Sequence, residues 1–481
     1  MLEQYKIKWV YVISVIFIAL TTLFVAFENY WIYAIPFIVL VALMFVFSFD
    51  KLILLIVFFT PLSIKLDDTT LNYDIGASIP TEPLIFGIML LFFFKILLNE
   101  TPDRKILKHP LTIAIIANLI WMAITSLTST DIIVSLKYFT SRLWFVIVFY
   151  FIGVELFKNF KNAKTFLWLY IIPFAGVIVY TITNHIANGL THKSANWVMT
   201  PFYNDHTAYG AALAMFLPVI GSFVFNKKYS PNLRIICFIL FALFCTGIVL
   251  SYARAAWVSL VPALLVLLIL LFKIKTHYVI MIFVVSVCLF FSFKNELFFN
   301  IEKNKQDSST DIQKHLQSIS NVSSDASNLE RINRWNSAIR MFKEKPIFGW
   351  GPGTYQFEYA PYQLSKDKTI ISTNFGDNGN AHSEYIGPLT ESGILGSLTF
   401  IVITFISLFT GIKVYKRAAD KEVKLIVLAL ILGLITYFTH GTMNNFLDTD
   451  KASVPFWAFL AIFTILDIQQ KAEKNTTSNN Q

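Results

Sequence analysis

The chain has 481 residues, of which 56% are hydrophobic and 14% charged, against roughly 45–50% apolar and about 25% charged in a soluble domain. That composition excludes a soluble globular fold, and apolar runs near the ~18–20 residues needed to cross a hydrocarbon core recur along the whole length. A net charge of +9 then reflects cationic loops on one side of a membrane and gives no reason to invoke nucleic acid.

The N-terminal MLEQYKIK leads directly into apolar runs at 9–27 and 30–47, without a small-residue cleavage site between them, which predicts an uncleaved first span. Further spans are predicted at about 52–64, 84–98, 110–128, 143–157, 165–184, 207–226, 235–250, 255–272, 278–293, 393–412, 424–440 and 453–468. The fold class is therefore an all-α polytopic membrane protein with about 12–14 transmembrane helices, since 52–64 and 84–98 are short enough to form a re-entrant pair. Residues 1–293 form an N-terminal bundle of about 11 spans, 294–384 one large loop, 385–468 the C-terminal spans and 469–481 a tail.

Cations cluster in alternate connections, among them Lys6 and Lys8, Arg104 to Lys108, Lys158 to Lys164, Lys227 to Arg234, and Lys416 and Arg417. This predicts cytoplasmic termini and puts the large loop on the outer face. The first part of that loop is rich in Ser, Asn, Asp and Gln. From Ser327, a Ser/Glu capping-box spacing and apolar residues at three- and four-residue steps predict an amphipathic helix over about 328–343, stopped by Pro346. Gly349, Gly351 and Gly353 around Pro352 then imply a tight backbone turn rather than a dinucleotide fingerprint. Cys237, Cys245 and Cys288 lie in apolar runs without CxxC spacing, so no disulfide, metal site or cofactor is indicated.

Several polar residues fall at the outer boundary. Arg254 sits in the middle of an apolar stretch from Ile235 to Phe272, where a cation marks a functional site unless it snorkels to headgroups. Arg331 and Arg334 lie one turn apart on the loop helix, with Trp335 on the face of Arg331; arginine's planar fork suits phosphate, although a solvated helix face explains Arg334 equally well. His382 precedes the next apolar segment and is either a proton acceptor or structural. Glu391 could orient it or cap a helix break. Asn204 and His206 before one span, and His440 after another, line either an aqueous cavity or ordinary wet loops.

The segments RINRWNSAIRMFKEKPIFGWGPGTY (331–355), AHSEYIGPLTESGILG (381–396) and SYARAAW (251–257), in that arrangement on a many-span chain, resemble the O-antigen ligase and polymerase superfamily over about residues 200–410. Ala255 and Ser383 depart from that family's commoner Gly and Asn. The resemblance implies a GT-C-like membrane glycosyltransferase in a bacterial inner membrane with its large loop in the periplasm. It would take a glycan from an undecaprenyl-diphosphate carrier and move it to an acceptor hydroxyl, without metal or cofactor. The acceptor would be lipid A core for a ligase, and another glycan or a protein for a polymerase or protein O-oligosaccharyltransferase. Carried over by residue, Arg254 and Arg331 would hold the donor diphosphate, with Arg334 beside Arg331 as a further diphosphate-binding candidate, and His382 would be the base or acceptor-positioning group. Trp335, Glu391, Gly351, Gly353, Asn204, His206 and His440 would support them. A flippase or secondary transporter is the competing class; it normally needs acidic or basic relays inside its spans, and those interiors are nearly free of Asp and Glu.

Overall fold

The computed structural model describes residues 2–27, 35–65, 77–98, 103–275, 326–369, 372 and 379–479. The predicted span at 278–293 and the first part of the large loop lie outside them. Two units are distinguished, Met1–Ile56 and Val57–Gln481. The first contains the helices Leu2–Ala26 and Ile35–Phe47 and most of Phe49–Phe59.

In the second unit, almost every apolar run becomes a helix, because within a bilayer only a helix satisfies its own backbone. Polar residues just before these runs set the starting points. Asp131 accepts from the Val134 amide at 3.1 Å, Asp205 from Ala208 at 2.8 Å and Asp420 from Glu422 at 2.7 Å, which supplies partners for amides that a first helical turn leaves open. Among the described residues nine helices are long and apolar enough to cross a membrane, and the protein is an all-α polytopic membrane protein. Thr81–Leu97, at 17 residues, and Phe49–Phe59, at 11, are shorter. A two-residue hairpin pairs Ile64 with Ile79 and Lys65 with Ser78.

One boundary differs from expectation. The span predicted to begin at 143 begins at Ile132 and runs to Leu156. Lys137 and Arg142 depress the local hydropathy, yet the helix continues through both, and Arg142 is 7% exposed.

Lys421–His440 and Asp450–Asn475 are the innermost spans, 78% and 83% buried against 22% for Pro231–Leu250. The latter shows Ile235, Phe238 and Ile239 on its surface, as a lipid-facing helix should. Close helix contacts use small residues, the usual device where lipid removes the hydrophobic drive between helices. At Gly210 of the His206–Phe225 helix an added Cβ would stand 2.5 Å from the Cβ of Ala253 and 3.2 Å from that of Ala256. At the end away from the large loop, Asp467 ties three helices together through His109, Lys413, Arg417 and Lys471, at 2.8 to 3.3 Å.

Candidate functional site

Arg254 owes its place to the turn before it. Ser251 donates through Oγ to the Ile248 carbonyl at 2.7 Å and accepts from the Ala253 amide at 3.2 Å. Tyr252 takes a left-handed φ of 51°, which reverses the chain. The next helix then starts at Arg254. Ala253 and Ala256 pack with Ala214 in a buried cluster, which, with the close approach at Gly210, brings the start of this helix beside the start of His206–Phe225. Two helix N-termini, each with a positive dipole end suited to an anion, thus share one neighbourhood. Charges acting on His206 come from Asp205, His192, Arg331 and Arg254. Asn204, next to Asp205, is exposed.

The loop contributes the Ala326–Glu344 helix. Arg331 is half-buried, touches Asn328 Oδ1 at 3.3 Å, and exerts its charge on His206, His382 and His440 alike. Arg334, one turn on, is placed differently. Its Nε donates to Glu330 Oε1 at 2.9 Å and its Nη1 to the Asn380 carbonyl at 3.1 Å, while its guanidinium lies over the Tyr359 ring at 5.0 Å. Glu330, whose spacing from Ser327 suggested a helix cap, is this arginine's buried partner instead and also accepts from Thr369 Oγ1 at 3.0 Å. Arg334 therefore splints the loop to the 379–382 segment. An Arg334→Gln variant, which strands a buried carboxylate, is expected to lose about 3–5 kcal/mol of stability. A thermal melt of the purified protein checks this; an unmoved midpoint would return Arg334 to the pool of ligand-binding cations.

His382 follows directly, with a left-handed φ of 48° and its amide on Asn380 Oδ1 at 3.0 Å. Burial, then Arg334 and Arg331, push its imidazole down to about 3, against an opposing pull from Asp205. It is therefore neutral at physiological pH. His440 is 1% exposed, pairs with Asn444 Nδ2 at 3.0 Å, and feels Arg331, Asp205 and His206. Trp335 is half-buried on the loop helix, and its Nε1 has no hydrogen-bond partner among the described residues. The structure thus brings Arg254, Arg331, His382, His206 and His440 into one electrostatic neighbourhood with Asp205. Among the described residues no cluster of His, Cys, Asp or Glu has the form of a metal site.

Glu391, Gly351 and Gly353 lie apart from that group and build the loop's anchor. Gly349, Gly351 and Gly353 have φ of 71°, 116° and 78°. The turn they form hydrogen-bonds across to the end of the short helix Ile386–Glu391, just before the Gly393–Arg417 helix, from Trp350 N to Thr390 O at 3.1 Å and from Gly351 N to Glu391 O at 2.8 Å. It also docks on the 129–135 corner, where Ser135 Oγ donates to Pro352 O at 2.8 Å. The Glu391 carboxylate accepts from the Tyr355 amide at 3.2 Å. Burial raises it to about 7, partly offset by backbone donors at Gly353 and Tyr355, and its role here is to clamp the turn.

Two residues were missed in the sequence. Glu384, from the same AHSEY segment as His382, is 5% exposed and accepts through Oε1 from Tyr437 Oη at 2.6 Å, Phe446 N at 2.8 Å and Leu447 N at 2.9 Å. Arg142 pairs with Tyr138 one turn earlier; the i, i+4 spacing of those two polar groups in an apolar helix was the available signal.

Residues 238–401 match the family model described as O-antigen ligase, an interval that contains Arg254, Arg331, Arg334, His382 and Glu391. A protein of Haemophilus influenzae, described as uncharacterized, is 26% identical over 318 residues, covering 64% of this chain and 75% of that protein. The match of residues 238–401 to the O-antigen ligase model supports membership in the O-antigen ligase superfamily.

Proposed function

We propose that the protein is an O-antigen ligase of the inner membrane, transferring a glycan from an undecaprenyl-diphosphate carrier to a hydroxyl of lipid A core at the periplasmic face. What supports this is that Arg331, from the loop helix, bears both on His206, on which Arg254 also acts, and on His382, so that charges supplied by distant segments act over one neighbourhood. A lipid diphosphate puts its charge at a headgroup boundary, and the two arginines with two helix N-termini form a matching receptor. In the transfer the acceptor oxygen attacks the anomeric carbon and the bond from that carbon to the diphosphate oxygen breaks. The acceptor proton passes to neutral His382, and the charge on the departing diphosphate is taken up by Arg254 and Arg331. Single displacement inverts the anomeric centre.

The test is reconstitution. Purified protein in lipid receives a diphosphate-linked glycan and, in separate reactions, lipid A core, a second carrier-linked repeat or an acceptor protein. Glycosylated lipid A core supports the ligase. Elongated carrier-linked product identifies a polymerase, and glycosylated protein a protein O-oligosaccharyltransferase.

The electrostatics of His382 make a pH prediction. Its pKa is held down first by burial and then by Arg334 and Arg331, and the diphosphate's negative charge offsets the two arginines when the donor binds. Proton affinity therefore rises on binding, and the acid limb of kcat is expected at higher pH than the acid limb of kcat/KM for donor. His382→Ala removes the limb in kcat along with most of the rate; a limb that survives in this variant belongs to another group.

A further inference from the structure

Where the large loop meets the membrane spans, its surface turns apolar. No charged residue lies between Lys345 and Glu358, and in that stretch Ile347 is 58% and Phe348 45% exposed. Neither belongs to the loop's packed interior, which gathers Ala338, Met341, Trp350, Tyr355, Tyr359 and Ala381. Their surroundings identify what covers them. The Gly393–Arg417 helix exposes Ile394, Leu398, Val402, Phe405 and Phe409, at steps of three and four residues that draw one stripe along its length. The adjoining Pro110–Leu127 helix, tied to it from Asn118 Nδ2 to Thr399 Oγ1 at 2.8 Å, exposes Ile113, Ala117, Ile120, Ile124 and Leu127 in the same rhythm. On two apolar spans such stripes face hydrocarbon. Both run to the end where the loop is attached, and there they meet the link. Pro346 O accepts from Ile394 N at 3.0 Å, and Phe348 stacks on Trp121 at 5.7 Å with the ring planes 15° apart. Ile347 and Phe348 therefore prolong a lipid-facing surface that two spans already share, and a contiguous apolar patch of that kind marks an interaction site.

The link is also built for a bilayer boundary. Pro346 brings no amide N–H, its carbonyl is satisfied by Ile394, and the Lys345 carbonyl accepts from the Gly349 amide at 3.1 Å. These backbone groups thus enter an apolar medium with their partners already in place. Lys345 opens the link with its Nζ 3.9 Å from the centre of the Trp350 ring, and Trp121 donates through Nε1 to the Ser392 carbonyl at 2.7 Å. A lysine whose stem lies on apolar surface while its charge reaches headgroups, beside two indoles, is the composition that settles at a membrane interface.

We propose that residues 346–348 form a wedge seated in the lipid leaflet on the loop's side, with Ile347 and Phe348 among the acyl chains, and that the partner of this face is phospholipid. Seating at the boundary of headgroups and chains, about 5–10 Å deep, fixes the height at which the Ala326–Glu344 helix stands over the bilayer, because that helix runs directly into the link. The inference stands independently of the glycosyl-transfer reading.

The test uses full-length wild type in single-copy nanodiscs of phosphatidylethanolamine and phosphatidylglycerol, doped with a phospholipid that carries a diazirine near the carbonyl end of one acyl chain. After irradiation, lipid adducts are located by peptide mass spectrometry. Ile347 and Phe348 are expected to carry adducts as Ile394 and Leu398 do. Leu364, exposed on the same loop three residues before the Asp367 that pairs with Arg340, is expected to carry none. Ile347→Asp should lose the adduct at Phe348 while Leu398 keeps its own. A thermal melt shows whether this variant folds, and the wild-type pattern decides the matter if it does not. Unlabelled Ile347 and Phe348 beside a labelled Leu398, labelling of Leu364 to the same extent, or an undiminished Phe348 adduct in folded Ile347→Asp would each overturn the wedge. Adducts that vanish in vesicles crowded with the protein would give the face to a second copy of the chain, which equally overturns lipid as its partner.

Discussion

Arg331→Gln is expected to slow glycan transfer by about 10²-fold or more, the effect of deleting one preorganised donor aimed at developing charge, with the melting midpoint little changed. Arg331 is half-buried at the rim of the site, and its charge reaches three histidines carried by three different elements. That is the position from which a cation stabilises a leaving diphosphate. Because the leaving group gains charge only as the bond breaks, the loss should fall mainly on kcat rather than on donor KM. Arg331→Lys keeps a positive charge but loses the planar fork, so an intermediate rate is expected. Arg254→Gln should behave as Arg331→Gln does, and the double variant should lose less than the product of the two single effects, since both act on one group. Steady-state rates with saturating acceptor, measured beside a thermal melt, check all four proteins. Wild-type kcat in Arg331→Gln would end its assignment to the diphosphate and with it the chief support for the enzyme.

The contrast between Arg331 and Arg334 also marks what a sequence could tell. On a helical repeat the two are near neighbours, and nothing in their spacing separates a ligand-facing arginine from one that splints a loop. The separation comes from Glu330, Asn380 and Tyr359, and two of these lie in segments whose approach is tertiary. The membrane helices were legible because a bilayer imposes length and continuous apolarity on any segment that crosses it. The same rule explains the displaced boundary at Ile132. Hydropathy falls at Lys137 and Arg142, but the backbone in a bilayer has no alternative to helix, and Asp131 supplies a cap where the polar corner ends. Arg142 thereby passed from a presumed loop into a span. Glu384 escaped notice for a related reason: its partners Tyr437, Phe446 and Leu447 are on a remote span end and turn.

Gly393→Ala and Gly349→Ala are expected to undock the loop, with a loss of stability of several kcal/mol. Each glycine has positive φ, 68° and 71°, a conformation that costs an L-residue about 1–2 kcal/mol. Each also faces backbone atoms of the segment that holds the other. A Cβ on Gly393 would stand 1.9 Å from the Ile347 carbonyl oxygen, and one on Gly349 would stand 2.4 Å from the carbonyl carbon and oxygen of Glu391. The obstructing atoms are main chain, so no rotamer change relieves the clash, and overpacking adds about 1–3 kcal/mol. Separating the segments further exposes the bonds from Trp350 N to Thr390 O, Gly351 N to Glu391 O and Ile394 N to Pro346 O. The Ala326–Glu344 helix is joined to this turn by the short link 345–348, so Arg331 would lose its registration against His382 together with the anchor. Transfer should fall below detection while the spans remain helical by circular dichroism. Gly387→Ala is the matched control: its nearest neighbour to an added Cβ is Ala381 Cβ at 3.9 Å, and a change within about 0.5 kcal/mol is expected. If Gly393→Ala melts and turns over as Gly387→Ala does, the glycine turn does not hold the loop, and the placing of Arg331 must be sought elsewhere.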